Sequence, residues 1–143
     1  METIGAVDVS ARTQYALRAL VCLTLRGGDR AVSGADIASL GGIPRKYVEQ
    51  VMHDLRQAGL VSSQRGKRGG YSLACDPHAV TVLNVLETIE GSLDGFGRMP
   101  GGDLVRPPLE AVWRDAVAAL RQCLGAATIA GLADRIAVHT YQI

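Results

Sequence analysis

The sequence predicts a mainly α fold, a winged helix-turn-helix followed by a long C-terminal helix. Three features of the 143-residue chain predict it. Two helical segments lead through a glycine turn into a third, strongly amphipathic one. The hydrophobic period then switches from helical to strand-like around a basic, glycine-bearing tip. The chain ends in an Ala/Leu-rich helical stretch with little sequence left to cover it.

The first eight or nine residues read as a loose arm, and Ser10 is placed to cap the helix that follows. From Ala11 to Arg26, residues Tyr15, Ala16, Ala19, Leu20 and Leu23 share one stripe, and Gly27-Gly28-Asp29 stops the helix. A second helix is expected from Gly34 to Leu40 with Ser33 as N-cap. Gly41-Gly42 makes the turn, and Pro44 pre-sets the first turn of a third helix running to Ala58. In that helix Val48, Val51, Met52 and Leu55 point inward. Leu60 to Gln64 and Tyr71 to Ala74 read as two strands joined by the loop Arg65-Gly66-Lys67-Arg68-Gly69-Gly70. A fourth helix begins near Thr81, with Val82, Val85, Leu86 and Ile89 on its apolar face. Gly91 to Pro108 has little hydrophobic pattern and reads as a long loop. The final helical region is expected from Leu109 to about Val138, with an interruption at Gly125. This divides the chain into a winged helix-turn-helix domain (1–80), a linking helix with a sensor-type loop (81–108) and a dimerisation region (109–143).

Composition is that of a folded chain, 48% hydrophobic and 20% charged, but only 4% aromatic, so the core must be aliphatic and gains from a partner subunit. The net charge of +1 names no partner, whereas its distribution does. Between Arg45 and Arg68, six basic residues face Glu49 and Asp54 alone; from Glu87 to Asp115 acids outnumber bases. A basic front half suits a polyanion, here double-stranded DNA. The N-terminus lacks a basic n-region and no run approaches a membrane span, so a cytoplasmic protein without membrane attachment is expected. Three widely spaced cysteines fit a reducing compartment better than a disulfide framework.

In a helix-turn-helix the second helix of the motif enters the major groove. That places Arg45 and Lys46 for phosphates or guanine edges and Gln50 for an adenine. Tyr47 is placed for the backbone. Glu49 could accept from a cytosine amine or orient Arg45 or Lys46. Arg56 reads as a phosphate contact or a solvated residue. Arg65, Lys67 and Arg68 on a glycine loop suit the narrow, electronegative minor groove. Surface arginines alone would equally make a solvated face; the order of elements with the charged hairpin favours DNA. A winged-helix protein-interaction module is the competing reading. No nucleophile–base pair, phosphate loop or metal motif points to an enzyme.

The run IPRKYVEQVMHDLRQAGLVSSQRGKRGGYSL (43–73), with TQYALRAL (13–20), VLNVLETIEG ending at Gly91 and AVWRDA (111–116), resembles the Rrf2 family of bacterial transcription regulators. The resemblance implies a homodimer, a repressor on a palindromic operator, with base reading carried onto Arg45 to Gln50, including Glu49. Many members hold an iron–sulfur cluster on three cysteines in the loop before the long helix. The equivalent loop here contains none, so no cofactor and no metal ligands are expected. Cys22 then reads as core, and Cys75 and Cys123 as candidate redox thiols. A small-molecule or protein effector acting through the 91–108 loop is the alternative signal.

Overall fold

The computed structural model describes residues 8–28 and 30–142, with side chains described as far as 137. The arm expected at the N-terminus falls mostly outside the described residues. Six helices and one hairpin follow in the order α1 (Ala11–Arg26), α2 (Gly34–Gly41), α3 (Arg45–Gln57), β1 (Val61–Gln64), β2 (Gly70–Leu73), α4 (Val82–Glu90), α5 (Arg106–Ala126) and α6 (Ile129–Gln142). This is the winged helix-turn-helix arrangement that the periodicity predicts.

Caps set the boundaries. The Ser10 and Ser33 hydroxyls accept from the Thr13 and Asp36 amides at the starts of α1 and α2, each cap worth about 1 kcal/mol. Gly42 closes α2 in the left-handed region (φ 63°). Thr81 and Asn84 form a reciprocal capping box at α4.

The core lies among α1, α2, α3, α4 and α6. Leu20, Leu23, Ile37, Val48, Met52, Leu55, Val85 and Ile129 are all fully buried there. β1 and β2 pair antiparallel, Val61 opposite Leu73 and Gln64 opposite Gly70. Val32, between α1 and α2, adds a further rung: its N–H donates to the Tyr71 carbonyl and its carbonyl accepts from the Tyr71 N–H, each at 2.8 Å. β2 is thereby held on both edges, by β1 within the wing and by Val32 of the helical body.

Three boundaries differ from the sequence reading by more than one residue. The last helix runs to Gln142 instead of about Val138. The loop ends at Val105, because Pro107 and Pro108 sit in the first turn of α5, where a missing N–H costs nothing. The final helical region also breaks at Ala127–Thr128 instead of Gly125. Thr128 caps α6 by accepting from the Gly131 amide (2.9 Å). The junction is stitched to the start of α4, with the Val82 N–H donating to the Ala127 carbonyl (2.9 Å) and the Ile129 N–H to the Val80 carbonyl (3.0 Å). α6 then packs along α1. Ile129, Ala130 and Ala133 therefore bury themselves in the winged-helix core, leaving α5 as the helix whose described residues are none of them buried.

Candidate nucleic-acid interface

Helix α3 is built to show one face. Its inward stripe, Val48, Val51, Met52 and Leu55, is at most 4% exposed, while Arg45, Lys46, Tyr47, Glu49 and Gln50 all lie exposed along the outer side. Burying four such side chains gives roughly 6–12 kcal/mol of transfer free energy, which fixes the outer face as firmly as the inner one.

Each predicted contact residue has a definite setting. A Cβ added to Gly34 would lie 3.2 Å from the Arg45 guanidinium, so Arg45 rests against the start of α2. The Lys46 ammonium lies 5.0 Å from the centroid of the Tyr47 ring, and that ring stacks on Tyr15 (5.9 Å, 22° between planes). Arg18 sits over the other ring, 5.9 Å from the Tyr15 centroid, and donates to the Gly41 and Gly42 carbonyls (3.4 and 3.2 Å). Two cations thus flank a tyrosine pair at the helix-turn-helix corner. Gln50 donates to Asp54 Oδ1 (3.0 Å), while Arg12 holds Asp54 Oδ2 (3.0 Å). The second amide N–H of Gln50 and its Oε1 take no part in this bond. Glu49 forms no ion pair among the described residues, so its carboxylate is not occupied in orienting Arg45 or Lys46.

The wing tip carries Arg65, Lys67 and Arg68, all exposed. Gly66 turns it in the left-handed region (φ 107°), and the Gly69 N–H closes the turn on the Gly66 carbonyl (2.9 Å). A Cβ on Gly70 would stand 2.4 Å from the Val32 carbonyl oxygen, so only glycine lets β2 approach so closely. Lys67 and Arg68 face Arg30, Ser33 and Asp36 across a cleft of about 560 Å³. The start of α2 therefore connects Arg45 of the recognition helix with the base of the wing. Arg56 is exposed at the C-terminal end of α3 and donates to Ser63 Oγ of β1 (3.0 Å), which braces the wing.

Sequence reasoning missed Arg12, Arg18, Tyr15 and Asp54 as supports of this face, and Arg30 as a cleft cation. Arg18 and Arg12 were legible only as polar positions on α1; what they touch depends on how α1 crosses α2 and α3.

The thiols divide by environment. Cys22 is buried in α1, and burial pushes its pKa up, partly opposed by Arg26. Cys75 is half-buried just after β2, and burial, with Asp76 beside it, raises its pKa as well. Cys123 is exposed on α5. These are three separate elements. Among the described residues no three His, Cys, Asp or Glu side chains gather as a metal site. The loop and helix start where a cluster would be expected carry Phe96, Arg98, Pro107 and Glu110, so the residues present do not fit an iron–sulfur cluster.

Comparison with known proteins decides the family. Residues 9–135 match the family described as "Rrf2: Iron-dependent Transcriptional regulator". The chain belongs to the Rrf2 family. It is 33% identical over 131 residues to the HTH-type transcriptional regulator IscR of Vibrio campbellii, covering 88% of this chain and 77% of that protein. Its fold is similar to CymR, the global cysteine regulator of B. subtilis, with a TM-score of 0.77 and 28% identity over 90% of this chain and 98% of the other. T. potens IscR superposes with a TM-score of 0.74 at 30% identity, covering 91% and 88%. Within the Rrf2 family this chain is thus a DNA-binding transcriptional regulator. No described helix is long and apolar enough to cross a membrane.

Proposed function

We propose that this Rrf2 protein is a homodimeric repressor that binds a palindromic operator without an iron–sulfur cluster. The observation that carries the DNA half of this reading is the display on α3, with Arg45, Lys46, Tyr47, Glu49 and Gln50 exposed over a fully buried stripe and linked through α2 to a basic wing. Arg45 and Lys46 take phosphates or guanine edges, and Glu49 and Gln50 discriminate bases. Arg65, Lys67 and Arg68 enter the minor groove. Dimerisation rests on α5, where Leu109, Val112, Ala119, Leu120 and Cys123 lie exposed and Ala116 half-buried at helical spacing. A helix of 21 residues is about 30 Å long at ~1.5 Å per residue, enough to hold two reading heads about one DNA turn apart.

The test is selection of sites from random duplex DNA by purified protein, followed by anisotropy titrations at several salt concentrations. Recovery of a palindrome is expected. Replacing Arg65, Lys67 and Arg68 together by Ala removes both wings' cations from the dimer and should flatten the log–log salt slope by up to about 5, since each phosphate contributes ~0.9. Absence of any enriched site, with an unchanged slope, would favour the protein-interaction reading instead.

A thiol signal is the second reading, favoured by the position of Cys123 on the uncovered stripe of α5. Reversible loss of operator binding under diamide in the parent, but not in Cys123→Ser, is its signature.

A further inference from the structure

The chain has one tryptophan and one phenylalanine, and the fold brings them together away from the core. After α4, Ser92 caps a short 3-10 turn at Leu93–Gly95, and Phe96 meets Trp113 of α5 edge to face, with ring centroids 6.1 Å apart. Gly97 follows with φ +70°; a Cβ there would fall 2.6 Å from the indole, so the glycine lets the loop close on the ring. Between this loop and α5 lies a cleft of about 310 Å³, at the small end of the range for ligand sites. On the helix side Glu110, Trp113, Arg114 and Val117 share one face; the loop side supplies Asp94, Phe96 and Arg98.

Charge decides what such a cleft can hold. Its two carboxylates are already matched. Arg121 donates to Asp94 Oδ1 at 2.8 Å and to Glu87 of α4 at 3.1 Å, and Arg106 lies 3.7 Å from Glu110. Its two cations are not: neither Arg98 nor Arg114 forms an ion pair or side-chain hydrogen bond among the described residues. The cleft therefore offers two unspent guanidinium groups beside an aromatic pair. Guanidinium forks bind carboxylates in two-point fashion, and ring faces and edges take flat apolar groups. The Arg121 bridge holds the loop side to α4 and α5, so the cleft is formed before anything enters.

We propose that the cleft between the 93–98 loop and the first turns of α5 binds a small organic anion with a flat apolar body, the class represented by aromatic carboxylates. The carboxylate lies between Arg98 and Arg114 and the ring against Phe96 and Trp113. The site names the chemistry of the effector for the regulator reading above, and it rests on that reading only for its consequence at the operator.

Because Trp113 is the single tryptophan, intrinsic fluorescence reports this cleft directly, with no DNA present. Full-length protein is titrated with benzoate at constant ionic strength, with benzamide as the neutral counterpart and inorganic phosphate as the plain anion. Saturable quenching or a spectral shift is expected with benzoate at a Kd of about 10 µM to 1 mM, as suits so small a ligand. Benzamide and phosphate should bind at least about tenfold more weakly, and Arg98→Gln with Arg114→Gln should raise the benzoate Kd by about tenfold or more. Both arginines are at the surface, so the variant is expected to fold, and unchanged circular dichroism confirms it. No saturation, equal response to benzamide, or an undiminished response in the double variant overturns the proposal. Loss of operator selection with benzoate binding intact would instead overturn the DNA reading and leave this site standing.

Discussion

Helices α3 and α5 are both amphipathic, and the molecule treats them in opposite ways. In α3 every residue of the apolar stripe is buried within the chain. In α5 none is, and Leu109 and Val112 remain 51% and 56% exposed. The difference lies in what surrounds each helix. α3 is wrapped by α1, α2 and β1, whereas α5 touches chiefly α4, because α6 turns back to cover α1. An apolar stripe with cover in its own chain specifies a fold; one left over specifies an assembly, since each such side chain gains roughly 1.5–3 kcal/mol on full burial. The proposed dimer is the assembly that would cover α5.

The sharpest way to break this contrast is to make the α5 stripe repel itself. Leu109→Asp with Val112→Asp should give a folded protomer with unchanged circular dichroism that sediments at half the parent mass. Operator affinity should fall by about 10²–10⁴, the avidity lost when two half-site contacts are no longer linked. A double variant that remains dimeric would place the interface elsewhere.

The same truncation on the two helices sharpens the point. Leu55→Ala in α3 should cost about 2–5 kcal/mol, seen as a lower Tm and urea midpoint at every protein concentration. Leu120→Ala in α5 should leave the protomer within about 0.5 kcal/mol while weakening the dimer, so its effect on Tm grows on dilution. Equal, concentration-independent losses at both positions would mean that α5 belongs to the same core as α3.

How far the sequence could be read follows from this contrast too. The α3 stripe and both wing strands were legible because their period and their turn glycines are local; the exposed residues Arg45, Lys46, Tyr47, Glu49 and Gln50 follow from the period, and Arg65, Lys67 and Arg68 from the glycine turn. The division of the C-terminal stretch was not. Gly125 looks like the breaker, yet it is helical, and the break comes at Thr128, whose cap is completed by hydrogen bonds to the segment before α4. Those partners lie more than forty positions away in sequence. Side-chain supports were equally hidden: that Arg56 reaches Ser63, or that Arg121 bridges Glu87 and Asp94, depends on register and crossing angle.

The wing should be sensitive to a single methyl group. Gly70→Ala sets a Cβ against the Val32 carbonyl and should cost about 1–3 kcal/mol through displaced backbone, with faster amide exchange at Val32 and Tyr71. Gly66→Ala meets no atom within 4 Å and suffers only its positive φ, a penalty of about 1–2 kcal/mol confined to the tip. Exchange that quickens equally at Val32 in both variants would show that the strand bridge does not depend on that close approach.

The cysteines provide the mildest comparison between the two regions. Cys75 belongs to the wing side, where burial, reinforced by Asp76, raises its pKa above the ordinary thiol value of 9.0. The unfolded chain therefore loses this proton first. The contribution to stability is complete below pH 9.0 and declines as pH rises towards the folded value. Alkylation of Cys75 by iodoacetamide near neutral pH should be slower in the folded protein than in urea, because the thiolate is the nucleophile. Asp76→Asn should quicken it only a few-fold, since burial is the larger cause and persists. Cys123 is governed by cover instead of charge. On an uncovered α5 it is exposed, so it should label readily in the Leu109→Asp, Val112→Asp protomer and more slowly in the proposed dimer. Equal labelling of Cys123 in both would place this thiol outside the interface, whichever face of α5 the partner covers.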